Sequence, residues 1–405
     1  MRTPLKAFST PGMIFVAAFV PRLAVAVTQG EGGFLARGYS QYLLLVNRMA
    51  ESHEYCLDTA FGTKCAFWPP VYPAFLYLFS GGGQTYWPVM VAQMVAGAMT
   101  AVLAFWIGME LFDRRAGVIA GLLTALYPYY VQHDVQLQDS VLATFTTAAA
   151  IYLLIRIRSS ARPVGWMMTG LVLGLDLLTR ATIAPFVVMV VIWLAFVDAR
   201  KAIVLAGIVL LTISPWLVRN YVVVGTLTLT SQTGRFLWIA HNDATFSHYP
   251  GGSIDDSEKE GFERLSAEEK RAILEMGEVE QSSYFANKAI DHVKNNPQQA
   301  ALEGVKKIGA AFAPWLSPSG DRTKEMVYLL SYGPLLILGI AGAIVTRRGW
   351  RELMPVYLVF AAFLVSAVIF WAHTSHRSYL DVYLAILAGA ALVGGYDRFR
   401  RTSAA

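Results

Sequence analysis

Nine ionisable side chains interrupt or end otherwise apolar stretches: Arg22, Asp134, Asp139, Asp176, Arg180, Arg219, His376, Arg377 and Asp381. A charge at the centre of a membrane-spanning helix costs ~2.5–3.5 kcal/mol on insertion scales, so each of these groups needs a partner or a task. Asp176 and Arg180 stand four apart, on one face of a helix, and can neutralise one another. Arg22, Arg219 and Arg377 have no obvious carboxylate beside them in sequence. Three guanidinium groups gathered on one membrane face suit an anionic ligand, phosphate above all, because the planar fork matches its oxygens bidentately. For any one of these arginines the competing reading is snorkelling of its head group to the interface. His133, Asp134 and Asp139 form a candidate set for a divalent cation, which would also hold a phosphate, although their spacing matches no recognised metal motif.

These residues must be placed by helices. With 55% hydrophobic and 15% charged residues over 405 positions, the chain is too apolar for an ordinary soluble domain. Apolar runs of about 17 to 25 residues, the length that crosses a hydrocarbon core of ~30 Å, recur along the chain and exclude a closed barrel. Backbone groups in lipid must be satisfied within each run, so the fold class is an all-α polytopic membrane protein. The runs fall at 11–28, 86–111, 115–133, 138–156, 163–180, 182–198, 200–218, 325–346, 351–371 and 378–396, ten in all. If they alternate in direction, Arg2 and Lys6, Arg114 and Arg115, Arg156 with Arg158 and Arg162, Arg200 and Lys201, Arg347 with Arg348 and Arg351, and Arg398 with Arg400 and Arg401 all share one side. By the positive-inside rule that side is cytoplasmic and holds both termini. The net charge of +5 is then a topology signal and points to no nucleic acid. Arg22 interrupts the first run where a signal peptide stays apolar, so that run is expected to remain uncleaved despite Ala24-Val25-Ala26.

The expected organisation is a first span (1–28), a first outer segment (29–85), spans two to seven (86–218), a second outer segment (219–324), and spans eight to ten with a basic tail (325–405). The only two cysteines, Cys56 and Cys65, lie in the first outer segment, where an oxidising compartment favours their pairing. Within that segment 38–50 reads as an interfacial helix, and 71–80 as a juxtamembrane helix too short to span, followed by the turn Gly81-Gly82-Gly83. In the second segment 257–275 reads as a charged, solvated helix, and 279–312 as an amphipathic one that breaks at Asn295-Asn296-Pro297.

Several motifs resemble the GT-C glycosyltransferases that use polyprenyl-phosphate sugars, in particular bacterial relatives of protein O-mannosyltransferase and aminoarabinose transferase. Trp68-Pro69-Pro70-Val71-Tyr72-Pro73 looks like that family's Pro-Pro-x-Tyr-Pro, and Gln138-Asp139-Ser140 like its acidic position opening the fourth span. Ser214-Pro215-Trp216-Leu217-Val218-Arg219-Asn220-Tyr221, with Gly225, Gly234, Leu237-Trp238 and Asn242 beyond it, resembles its Pro-Trp-x-x-Arg-Asn-Tyr stretch, the most specific of the matches. His376-Arg377-Ser378-Tyr379 resembles its late Arg-Tyr motif.

Two departures stand out. The family opens its first outer loop with an Asp-Glu pair followed by an aromatic. Here the preferred match is Gly30-Glu31 with Phe34, which keeps only Glu31, while a second register on Tyr42 puts Gly38 and Tyr39 at the acidic positions. Asp381 also stands where the family often has Pro. The resemblance implies transfer of a sugar from a lipid phosphate to a hydroxyl, with inversion, at the extracytoplasmic face of a bacterial inner membrane. The acceptor hydroxyl needs a carboxylate base, for which Glu31 and Asp139 are the candidates, and the leaving phosphate needs fixed cations, supplied by Arg22, Arg37, Arg219 and Arg377. Tyr72, Arg180, Asn220, His376 and Tyr379 complete the expected donor site. The expected partners are a polyprenyl-phosphate-linked sugar, a glycan, glycolipid or protein acceptor, and membrane lipid. The rival classes are a lipid or glycolipid flippase, which would carry its charges on broken helices near the midplane, and a non-catalytic assembly subunit of the same fold.

Overall fold

The computed structural model describes residues 9–157, 163–318, 320–371 and 374–403, the side chains of 398–403 excepted. Of the basic residues invoked above, Arg2, Lys6, Arg158 and Arg162 lie outside the described residues, as do the side chains of Arg398, Arg400 and Arg401. The chain opens with α1 (Thr10–Leu35), the short helix α2 (Gln41–Ser52), a two-stranded hairpin of β1 (Leu57–Thr59) and β2 (Gly62–Lys64), and α3 (Val71–Phe79). The bundle continues with α4 (Trp87–Leu111), α5 (Arg114–Leu126), α6 (Pro128–His133), α7 (Ser140–Ile157), α8 (Pro163–Thr179), α9 (Ala184–Val197) and α10 (Ala199–Val224). A helical lobe follows, made of α11 (Thr233–Ala240), α12 (Ile254–Glu263), α13 (Ala267–Glu275), α14 (Glu278–Asn295) and α15 (Pro297–Ala311). The chain returns to the bundle through α16 (Arg322–Thr346), α17 (Met354–Ile369), the single turn α18 (Thr374–Arg377) and α19 (Asp381–Ser403).

Among the described residues, six helices are long and apolar enough to cross a membrane, and Pro163–Thr179, Ala181–Val197 and Met354–Ile369 are shorter apolar helices. The remaining expected span, 115–133, is broken. Tyr127 takes an extended conformation (φ −63°, ψ 114°) before Pro128, because the proline ring crowds an α-conformation at the preceding residue. Helix α4 is the centre of the bundle, packed on α1, α5, α7 and α19, and α19 packs in turn on α5 and α16. Fully buried alanines at 98, 101 and 104 let neighbouring backbones approach α4 closely. At one end of the bundle Arg114 bonds Thr10 (2.8 Å), Arg115 clasps Asp397 (2.8 and 2.9 Å) and Arg156 reaches Glu110 (2.6 Å), so these basic loops meet at a single face.

The two polar segments, 29–85 and 219–324, meet each other beyond the bundle. Cys56 and Cys65 are bonded and close the hairpin, whose register pairs Leu57 with Lys64 and Thr59 with Gly62. The Glu278 carboxylate accepts from the amides of Cys65 (2.9 Å) and Ala66 (3.2 Å), and Lys64 reaches Gln281. Phe61 at the hairpin tip stacks edge-on against Phe262 and Phe285, so the hairpin completes the small apolar core of the helical lobe. The charged stretch 257–275 is two helices, because Ser266 stops the first and starts the second with a reciprocal Ser266–Glu269 capping box. The break at Asn295-Asn296-Pro297 is present, with Pro297 in the first turn of α15.

Candidate active site

The site is built around a loop, 134–139, that interrupts the helical path between α6 and α7. Gln93 on α4 donates to the Asp134 and Gln136 carbonyls (both 2.9 Å) and accepts the Tyr72 hydroxyl (3.0 Å), which ties the loop to α3 and the bundle core. On its other edge Leu137 exchanges backbone hydrogen bonds with Arg37 and Tyr39 (both 3.1 Å) in a short parallel bridge. The bridge depends on Gly38. Its φ is +103°, and a Cβ there would lie 2.2 Å from the Leu137 carbonyl oxygen.

The loop delivers Asp139 to the start of α7, where its carbonyl accepts the Ala143 amide (3.0 Å). Both carboxylate oxygens are held by Arg180, Nε to Oδ2 at 2.9 Å and Nη2 to Oδ1 at 2.6 Å. Arg180 sits where α8 ends, in an extended conformation (φ −148°) that turns its side chain out of the helix. The two side chains are each 12% exposed, so the pair lies at a rim rather than inside the core. Tyr39, Tyr42 and Tyr72 lie within electrostatic reach of Asp139, and His376 and Tyr379 within reach of Arg180. Tyr39 also bonds Ser375, and Tyr42 packs edge-on against Tyr72 (4.7 Å). The Arg37 side chain is exposed beside the bridge, with no hydrogen bond or ion pair among the described residues. Asp139, Arg180, Tyr72, His376 and Tyr379 thus converge on one place, and Arg37 borders it.

Other expectations fail. Asp176 does not neutralise Arg180: its carboxylate accepts from Thr146 (2.6 Å) and Thr147 (2.9 Å) on α7, leaving the guanidinium to Asp139. The three arginines read as unpaired each have partners. Arg22, fully buried, donates from Nε to Asp134 (2.7 Å) and from Nη1 to the Ala18 and Ala125 carbonyls (2.7 and 3.0 Å). Gly97 makes room for this pair, since a Cβ there would fall 2.1 Å from the Asp134 carboxylate. Arg377 pairs with Asp381 one turn further along, bonds the Tyr328 hydroxyl (2.7 Å) and lies over the Tyr332 ring (3.8 Å), out of contact with solvent. Arg219 anchors the disulfide hairpin through the carbonyls of Cys65 and Tyr55 (the latter 2.9 Å) and stacks on Tyr55 and Trp216. Asn220 serves the same brace, accepting from Arg219 (2.9 Å) and donating to the Thr228 carbonyl (2.7 Å).

The cation set also dissolves. Asp134 is committed to Arg22, Asp139 to Arg180, and His133 stacks on Tyr129 at 3.9 Å; among the described residues no three His, Cys, Asp or Glu side chains come together to hold a metal ion. Glu31 lies within α1, just beyond a break at Gly30 (φ +61°), and not in a free glycine-rich turn. Its carboxylate accepts from the Tyr86 and Trp87 amides (2.8 and 3.0 Å) and the Thr85 hydroxyl, capping the N-terminus of α4. Of the two registers for the first-loop motif, the second one, on Gly38 and Tyr39, is the one that lies beside Asp139.

Residues 68–218 match the family described as Dolichyl-phosphate-mannose-protein mannosyltransferase, a stretch that opens on Trp68-Pro69-Pro70 and closes on Pro215-Trp216-Leu217-Val218. No curated protein sequence matches the chain. Among solved structures the chain is similar to the oligosaccharyltransferase AglB of the archaeon Archaeoglobus fulgidus. The complex of that enzyme with an inhibitory peptide and a dolichol-phosphate aligns with a TM-score of 0.55 at 13% identity, over 97% of this chain and 51% of that one. Its apo form aligns with a TM-score of 0.57 at 15% identity, over 100% and 52%. ArnT from Cupriavidus metallidurans bound to undecaprenyl phosphate gives a TM-score of 0.39 at 14% identity, over 93% and 78%, too slight a likeness to build on. The chain is a multi-pass membrane protein with the GT-C glycosyltransferase fold, as its motifs lead one to expect, and it spans about half the length of AglB.

Proposed function

We propose that this protein is a membrane glycosyltransferase that moves a sugar from a polyprenyl-phosphate donor to a hydroxyl acceptor at the extracytoplasmic face, with inversion at the anomeric carbon. The observation that carries the reading is the Asp139–Arg180 clamp, at a rim ringed by tyrosines, at the junction of loops from both ends of a GT-C chain. The dolichol-phosphate bound by AglB supports a lipid phosphate as the donor's leaving group.

The clamp suggests a partner exchange. Arg180 offers a planar fork that fits a phosphate as well as a carboxylate, so a donor phosphate at the rim draws the guanidinium away and frees an Asp139 oxygen. Asp139 then takes the acceptor proton as the new carbon–oxygen bond forms, while the bond from the anomeric carbon to the phosphate oxygen breaks with its electron pair on the lipid phosphate. Arg180, with the exposed Arg37 beside it, meets the charge that the leaving group gains. One displacement inverts the anomeric centre.

Purified protein supplied with radiolabelled polyprenyl-phosphate sugars and a membrane extract as acceptor should release free polyprenyl phosphate and label the acceptor. The reading fails if wild-type protein transfers nothing from any lipid-phosphate sugar, or if Asp139→Asn transfers at the wild-type rate.

A further inference from the structure

Lys307 on α15 is fully buried, yet it serves no part of the site described above. Its ammonium faces the outer end of α17, 3.3 Å from the Val368 carbonyl. Beside it His241, which follows α11, holds Nε2 2.9 Å from the Ile369 carbonyl. The same Nε2 lies 3.3 Å from the Lys307 ammonium; with the proton on Nε2 the imidazole donates to Ile369 and that contact is no hydrogen bond, the ammonium being left to Val368, and Nδ1 has no partner among the described residues. The last carbonyls of a helix have no acceptor role inside it and carry its negative dipole end. α17 ends at Ile369, so both donors fall on such orphan carbonyls, and both come from the helical lobe rather than from the bundle. Close packing keeps them there: a Cβ on Gly304 of α15 would lie 3.3 Å from Val368.

Contacts run from the end of α17 to the site. Trp371, two residues on, packs against Phe246 (4.8 Å) and Tyr249 (6.3 Å) of the lobe, and its carbonyl lies 3.2 Å from His376 Nδ1. His376 neighbours Ser375, the partner of Tyr39, and Tyr379, which sits near Arg180.

We propose that Lys307 and His241 are positioning residues: they cap α17 from the helical lobe and so hold Trp371, and through its contact with His376 the group Ser375, His376 and Tyr379, at the Asp139–Arg180 rim. This rests on the transferase reading for its consequence, while the cap itself does not. Burial draws the Lys307 ammonium down to about 8, with Glu303 on its own helix opposing, and holds His241 neutral at about 4, with Lys307 and His292 of α14 adding to the effect. A neutral imidazole beside one buried ammonium avoids placing two cations on one helix end.

The test combines hydrogen exchange with turnover on the full-length protein in lipid nanodiscs. Lys307→Met and His241→Phe keep the apolar volume and remove the donors, whereas Lys307→Arg keeps a cationic donor. The amides of residues 374–380 should exchange about tenfold faster in the first two variants, the effect of losing one hydrogen bond from a charged or buried donor. Turnover should fall by a similar factor and recover in Lys307→Arg, with exchange in α1, α4 and α7 unchanged throughout. Unaltered exchange at 374–380 in both donor-deleted variants overturns the proposal, and so does acceleration spread evenly over the whole lobe, which would make the pair a fold brace only. If wild-type protein shows no transferase activity while exchange at 374–380 still responds, the cap stands and the transferase reading falls.

Discussion

The loop 134–139 has a carboxylate at each end, each paired to an arginine; the carboxylates are similarly buried (8% and 12% exposed) and the pairs differ in the arginine, sealed at 0% for Arg22 and 12% exposed for Arg180. Asp134 is held with an Arg22 that has no exposed surface and whose other bonds go to the carbonyls of Ala18 and Ala125. Asp139 is clamped by an Arg180 that shares its 12% exposure, and tyrosines rather than backbone carbonyls surround the pair. A sealed pair is a structural unit, because separating it leaves a charge in the core without compensation. A rim pair with a bidentate fork can trade one oxyanion for another at little cost. Chemical identity does not separate the structural ion pair from the one proposed to act on substrate in this bundle; access does.

The comparison breaks first at Asp139. Asp139→Asn should lower transfer by about 10²–10⁴-fold, as removal of a general base does, with the folded protein and its thermal transition largely retained. Matching losses in a set of Asp134 variants that keep full stability would erase the distinction between the pairs. The reciprocal experiment reads stability. Arg22→Met alone should destabilise by about 3–5 kcal/mol by leaving Asp134 unpaired, and adding Asp134→Leu should return most of it, measured as thermal unfolding in detergent. A smaller effect is expected at the hairpin, where Arg219→Lys loses the fork that spans two carbonyls. That should cost about 1.5–3 kcal/mol and leave the KM for the lipid donor unchanged; a raised donor KM without destabilisation would return Arg219 to the phosphate site. Glu31→Gln should weaken the cap of α4 by about 1 kcal/mol and leave turnover intact, and loss of turnover at full stability would restore Glu31 as the base.

The smallest effect concerns an exposed pair for contrast. The Lys288 ammonium, with the Ser266 amide, holds the Glu269 carboxyl down at about 2 against an ordinary 4.5. A carboxyl lowered on folding stabilises above the unfolded value and loses that contribution as pH falls through the folded one. Stability of the helical lobe should therefore decline between about pH 4.5 and 2, and Glu269→Gln should flatten that slope slightly. An unchanged acid profile in that variant would make the pair a crystal-clear case of a surface contact without energetic weight.

Much of this fold is legible before any coordinates. Apolar run length, the basic loops, the short helices at 38–50 and 71–80, the break before Pro297 and the bonding of Cys56 to Cys65 all depend on local rules or on there being only two cysteines. Local reading failed where a proline intervened, at Tyr127-Pro128, and where Ser266 could cap a new helix inside a charged stretch. The candidate site was legible as a set of residue types, of which Asp139, Arg180, Tyr72, His376 and Tyr379 lie near one another. Their pairing was not. Arg180 has a carboxylate four residues away in Asp176 and yet bonds one 41 positions away, while Arg22 finds its partner 112 positions away. The sequence by itself determined that this chain is a membrane helical bundle with costly charges at its helix ends, because lipid penalises every unsatisfied polar group by a rule that acts on each segment alone. Only the tertiary structure decided which charge answers which, and therefore which arginine is left at a rim where a ligand can reach it, because ion pairing acts through space over a few ångströms and is blind to distance along the chain.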